Sequence, residues 1–198
     1  MVFLISHLNI LTVCGVLLGG FIVQFGYGEF PCPLCILQRM AMILCALGPA
    51  YLIFGSRDGV VKWNDFVTGY GLTLVSAIGG GLISFRHILL HIVPPDPGYG
   101  SAVWGYHPYT WALIVFAMEI LTTGLLFAFA CNLEIQRVEF GRLSKCTVYL
   151  LGTLIIGNLI AVFFEEGFHW FLDDDPTQYK LLWDFRMGHC LFWKPNQR

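Results

Sequence analysis

Charged residues are scarce in this sequence: Asp, Glu, Lys and Arg together make up 12% of the 198 positions, and they form no basic tract. With a net charge of −2, that scarcity argues against nucleic acid as a partner, because phosphate backbones are gripped by clustered cations. No internal repeat and no low-complexity segment is present, so neither a solenoid nor a disordered linker is expected. No signal peptide with a small-residue cleavage site precedes the first apolar run, which is therefore expected to remain as an anchor. Neither cysteine of the single Cys-x-x-Cys is followed by histidine, so attachment of a c-type haem is excluded.

What the chain has in abundance is apolar length. Hydrophobic residues make up 57% and mean hydropathy is +0.69, which describes a polytopic membrane protein rather than a soluble core. Five runs of about 20 residues are expected to span a bilayer, at Ile5–Tyr27, Ile36–Phe54, Phe66–Leu90, Tyr109–Cys131 and Cys146–Phe164. Lysine and arginine orient them. Arg57 and Lys62 lie in the second connection and Arg137, Arg142 and Lys145 in the fourth, while the first and third connections have none. By the positive-inside rule the second and fourth are cytoplasmic. The amino terminus is then inside, and the tail from Glu165 to Arg198 outside.

That orientation places Phe30-Pro31-Cys32-Pro33-Leu34-Cys35-Ile36-Leu37-Gln38-Arg39 on the oxidising side of the membrane, where disulfides persist. Seven cysteines would by chance give roughly 0.24 pairs at this spacing, so context carries the argument. Pro31 and Pro33 are expected to hold the chain out of helix up to the second cysteine. Cys35 then sits at a helix N-terminus, where free N–H groups and the macrodipole favour a thiolate. Arg39 follows four residues later on the same face, about 6 Å deeper. Cys14 and Cys45 fall in mid-span as small hydrophobes. Cys131 and Cys146 read as free thiols at the cytoplasmic boundary, and Cys190 shares the outer face with the pair.

Ionisable groups inside spans need a reason. Arg39 and Arg86 lie near outer ends, from which they can snorkel. His87 and His91 share one helix face, suited to a metal, a haem or a polar cofactor headgroup. Glu119 in the fourth span reads either as part of a proton path or as a structural carboxyl bonded to a neighbouring helix. In the tail, Asp173-Asp174-Asp175-Pro176 is expected to start a surface helix running from Tyr179 to Met187. Many of the tail's aromatics, including Phe168, Trp170, Phe171, Trp183, Phe185, Phe192 and Trp193, suit an interfacial segment or one folded back over the bundle.

Pro31-Cys32-Pro33-Leu34-Cys35-Ile36-Leu37-Gln38-Arg39, with Arg86-His87 and Pro94-Pro95-Asp96 downstream, resembles the bacterial DsbB-type disulfide bond formation proteins over roughly residues 8–130. The resemblance implies an all-α membrane protein: a four-helix transmembrane bundle of DsbB type, here with a fifth transmembrane helix. The expected organisation is a five-span bundle over 1–164, with its redox core at about 8–130, and a periplasmic aromatic-rich tail over 165–198. The resemblance also implies an inner-membrane thiol–quinone oxidoreductase that oxidises a periplasmic thioredoxin-like thiol oxidase and passes electrons to ubiquinone or menaquinone, serving oxidative protein folding. Cys32 and Cys35 would be the catalytic pair, Arg39 and His87 would line the quinone headgroup, and no metal is called for. One departure stands out. The family's second cysteine pair belongs in the outward loop after the third span, and His91–Pro108 contains no cysteine. A partner thiol would then attack the first pair directly, or Cys190 would substitute in part, or the partner would differ from the family's usual one. The alternative from another class is a non-catalytic membrane subunit binding metal or haem through His87, His91, His107, His169 and His189.

Overall fold

The computed structural model describes residues 2–55, 61–129, 141–169 and 172–186. Its long helices are α1 (Val2–Phe21, continued by a π-helical turn at Ile22–Gly26), α2 (Pro33–Gly55), α3 (Trp63–Leu90), α4 (Pro108–Phe129) and α5 (Arg142–Glu166), followed by a short α6 (Lys180–Arg186). All five long helices are long and apolar enough to cross a membrane, as the hydropathy requires. Large apolar side chains such as Leu4, Val75, Tyr149 and Ile156 cover the outer surface, where lipid rather than water is the solvent. The chain is a multi-pass helical membrane protein.

In lipid, polar side chains bind helices to one another, and α1 bonds in this way to α3, α5 and α4. Ser6 shares a hydrogen bond of 2.9 Å with Tyr70 on α3, and His7 Nε2 one of 3.2 Å with Ser144 on α5. Asn9 Nδ2 donates to Glu119 Oε2 on α4, so of the two readings of Glu119 the structural one has a named partner. Cys14 and Cys45 are buried in the apolar core, and Cys146 is exposed on α5. Arg86 is exposed on α3. Cys131, Cys190, His189, Arg57 and Arg137 lie outside the described residues, as do Trp170, Phe171, Phe192 and Trp193.

The α2–α3 contact is the most extensive in the bundle, and a proline explains its form. Pro49 has no N–H to donate to the Cys45 carbonyl one turn earlier. Thr73 Oγ1, on α3, donates to that oxygen at 2.9 Å instead. It reaches there because Gly48 and Gly69 let the two backbones touch: a Cβ at Gly69 would stand 2.8 Å from Gly48 O.

Several expected boundaries shift. Helix α2 begins at Pro33, ahead of the second cysteine, because proline is tolerated in a first turn whose N–H groups have no intrahelical partner. Helix α5 extends through Glu166 and ends at Gly167, whose φ of +64° suits glycine. The acidic run Asp173–Pro176 starts no helix, and α6 begins only at Lys180. Asp173 instead accepts an ion pair from Lys180 at 3.0 Å. The described part of the tail packs against the bundle: Tyr179 lies edge-on to Phe30 and Leu181 is buried.

Candidate functional site

The site forms where α2 starts. Cys32 precedes Pro33, its carbonyl accepts the Ile36 N–H at 3.0 Å, and its Sγ accepts the Cys35 N–H at 3.3 Å. Cys32 is thus the N-cap, with sulfur in the position usually held by a serine or aspartate oxygen. The two Sγ atoms lie 2.9 Å apart as free thiols. The hydrogen bond shared with Cys35 is the largest influence on Cys32. With His87 and the Cys35 N–H it outweighs burial and pulls the Cys32 thiol from 9.0 down to about 5. The helix-start effect expected at Cys35 therefore acts on Cys32.

His87, on α3, is 1% exposed. Its Nε2 is 3.8 Å from Cys32 Sγ and its Nδ1 is 3.3 Å from Gln38 Nε2. The Gln38 amide donates to Nδ1, so the ring proton sits on Nε2, facing the sulfur. Tyr109 stacks near the His87 ring at 4.4 Å, and the His91 ring lies 5.3 Å away. His91 turns instead to the outer loop and pairs with Asp96 at 2.9 Å. The Gly98 N–H and then His91 hold the Asp96 carboxyl below the usual carboxylate range.

Arg39 reaches from α2 to α1. Its Nη1 donates to Gln24 Oε1 at 2.7 Å, its Nη2 to Gly20 O at 3.0 Å, and its guanidinium lies 5.8 Å from the Phe21 ring. A Cβ at Gly20 would stand 3.2 Å from Arg39 Nε, so glycine there makes room for the cation.

Beside this group is a cavity of about 520 Å³ between α1, α2, the outer loop and α4, a size suited to a small organic ligand. Its wall is mostly apolar, with Cys35, Gln38 and Arg39 on one side and Tyr99, Trp104 and Trp111 on another. Cys32 and His87 are not among its lining residues: the structure gathers them behind Cys35. The outer loop is tied down across the pair. Glu29 accepts from Ser101 N at 2.9 Å and bonds the Ser101 hydroxyl, and the Tyr99 hydroxyl donates to Phe30 O at 2.7 Å. Burial, then the negative sulfur of Cys32, raises the Tyr99 phenol.

Two residues of this site went unremarked in the sequence. Gln38 and Gln24 are lone amides in apolar runs; their signal was polarity inside a span with no partner in the same helix. Among the described residues, Cys32, Cys35 and His87 form the one cluster of three donor side chains close enough to hold a metal ion. With its proton on Nε2, His87 offers that cluster a donor rather than a lone pair. The other described histidines are engaged elsewhere: His107 Nδ1 with Gly100 O, and His169 with Asp184.

Comparison with known proteins finds sequence similarity in the first half of the chain. Residues 4–101 match the model of the disulfide bond formation protein DsbB. The disulfide bond formation protein B of Chromohalobacter salexigens is 31% identical over 87 residues, covering 43% of this chain and 49% of that protein. Disulfide bond formation protein B 1 of Pseudomonas savastanoi is 36% identical over 89 residues, covering 42% and 47%, and the protein B of Aromatoleum aromaticum is 32% identical over 94 residues, covering 45% and 52%. The chain spans about half the length of the curated relatives it matches. No solved structure matches it. The matched segment, residues 4–101, belongs to the DsbB family of disulfide bond formation proteins, and it holds Cys32, Cys35, Arg39 and His87.

Proposed function

We propose that this protein is a thiol–quinone oxidoreductase of the bacterial inner membrane, which oxidises a periplasmic thioredoxin-like thiol protein and delivers the electrons to membrane quinone. One observation carries the reading: Cys35 of a close thiol pair opens onto a mostly apolar cavity whose polar lining includes Gln38, Arg39 and Glu29. Gln38 and Arg39 fit a quinone headgroup, a planar ring with carbonyls to be met by donors and an apolar remainder for the rest of the wall.

A bound quinone supplies the two-electron, two-proton acceptor that the chain itself lacks. The Cys32 thiolate and the Cys35 thiol release two electrons and one proton as their Sγ–Sγ bond forms; with the proton that Cys32 gave up on ionising, this balances reduction of that acceptor to quinol. The partner's two thiols then restore the pair and become a disulfide. In that exchange the partner's thiolate is the nucleophile, and Cys32, whose thiolate is stabilised, is the sulfur that leaves readily. His87 Nε2 stabilises its charge and exchanges its proton. Arg39 directs a cation at the cavity, where negative charge develops on the acceptor oxygen. For a partner thiolate to reach the pair, whose Cys32 is 4% exposed, the Tyr99 and Ser101 contacts have to open.

In this reading the bundle to about residue 164, with its redox core near 8–130, does the chemistry. The tail from 165 caps its periplasmic end. The amino terminus is cytoplasmic, a placement supported by Lys62, Arg142 and Lys145, all exposed near the helix ends opposite the cysteines. The His91–Pro108 loop has no cysteine, so the partner's thiol exchanges with Cys32–Cys35 directly, or Cys190 serves as the intermediate thiol.

Thiol trapping tests the proposal. A short-chain ubiquinone or menaquinone added to the reduced, purified protein should convert Cys32 and Cys35 to a disulfide, and Cys35→Ser should abolish quinone reduction. A pair left reduced by both quinones sinks it.

A further inference from the structure

Helix α5 lies beyond the residues that match the family, and it brings one carboxylate to the site. Glu165, in its last turn, is 0% exposed. Its Oε2 accepts from Gln24 Nε2 at 3.4 Å, and Gln24 Oε1 accepts from Arg39 Nη1 at 2.7 Å. Its Oε1 is buried without a hydrogen-bond partner. The π-helical turn Ile22–Gly26 is what turns Gln24 inward, where it is buried between the two charged groups.

We propose that Glu165 is a positioning residue for Arg39, acting through Gln24 to hold the guanidinium at the wall of the cavity. The chemistry is directional. A carboxylate oxygen only accepts, so Glu165 draws the Gln24 NH₂ toward itself and leaves the Gln24 carbonyl facing Arg39. Without that acceptor the amide loses its anchor, and Arg39 keeps only the Gly20 carbonyl. The fifth helix thereby completes a relay whose other members, Gln24 and Arg39, lie on the π-helical turn after α1 and on α2. The inference rests on the quinone reading for its purpose, but not for its geometry.

The test compares wild type, Glu165→Ala and Glu165→Gln, the last of which keeps an acceptor for Gln24. Phenylglyoxal labels arginine, and mass spectrometry follows the Arg39 peptide with exposed Arg86 as internal reference. Arg39 in E165A should label about tenfold faster than in wild type, the loss of one hydrogen bond to a charged group, with E165Q within about twofold of wild type. In turnover with a short-chain ubiquinone, kcat and kcat/KM should both fall about tenfold in E165A with KM little changed, and return toward wild type in E165Q. Equal Arg39 labelling in wild type and E165A overturns the inference, as does E165Q labelling as fast as E165A. Should E165A not fold, Glu165→Leu, which keeps the side-chain bulk, replaces it in the same comparison. If labelling shifts as expected while wild type reduces no quinone, the relay stands and the quinone reading falls.

Discussion

Cys32 is where local chemistry is most concentrated. A sulfur at a helix N-cap, sharing a hydrogen bond with Cys35 and facing His87 Nε2, has its thiol lowered to about 5. In reduced protein, the rate of Cys32 alkylation by iodoacetamide, followed by mass spectrometry, should therefore rise through about pH 5 and stay level above it. Cys35→Ala should move that midpoint upward, because it removes the largest stabilising contact, and His87→Ala should move it upward by less. The sign for stability follows from proton counting. Between about 5 and 9 the unfolded chain binds a proton at Cys32 that the folded thiolate does not, so the reduced protein gains stability as pH rises across that window. The thermal midpoint should fall as pH drops toward 5, and the Cys32→Ser variant should lose that part of the slope. The pair and Arg39 were legible in the sequence because Cys-x-x-Cys and a following cation are local. The direction of thiol tuning was not, because it depends on which side of Pro33 the helix starts.

At the scale of helices, two sets of glycines do opposite work. A methyl at Gly48 would meet Gly69 O and Thr73 Oγ1 in the tight α2–α3 contact. Gly48→Ala should therefore destabilise the bundle by about 1–3 kcal/mol, measured by reversible unfolding in detergent. Thr73→Val should cost about 1–3 kcal/mol as well, since it leaves the Cys45 carbonyl beside Pro49 without a donor. Gly15 and Gly19 line the cavity, and a Cβ on either would meet nothing within 4 Å. Gly19→Leu should fold normally yet raise KM for a short-chain quinone on the order of tenfold, since added side-chain carbons fill the cavity. Span lengths could be read from hydropathy because lipid demands about 20 apolar residues per crossing. The last turn of α5 could not: Glu165 reads as the start of a polar tail until Gln24 is seen against it.

For the whole molecule, orientation is the property most open to direct measurement. Cys146 is exposed on α5 near the helix ends that carry Lys62, Arg142 and Lys145, while Trp104 is exposed on the outer loop over the cavity. In intact spheroplasts a membrane-impermeant maleimide should label a Trp104→Cys variant and spare Cys146, and inverted vesicles should show the reverse. The opposite pattern would place the cysteine pair in the reducing compartment and remove the basis for oxidase activity. The sequence by itself determined the membrane class, the five spans and the presence of a thiol pair at a helix mouth. Each of these follows from composition or from residues within one turn of each other. Only the tertiary structure decided that Cys32 rather than Cys35 is the capped thiolate, that Gln38 sets the proton on His87, and that Glu165 reaches Arg39 through Gln24. Those relations join residues as many as 141 positions apart, and hydrogen bonds between helices leave no periodic trace along any one of them.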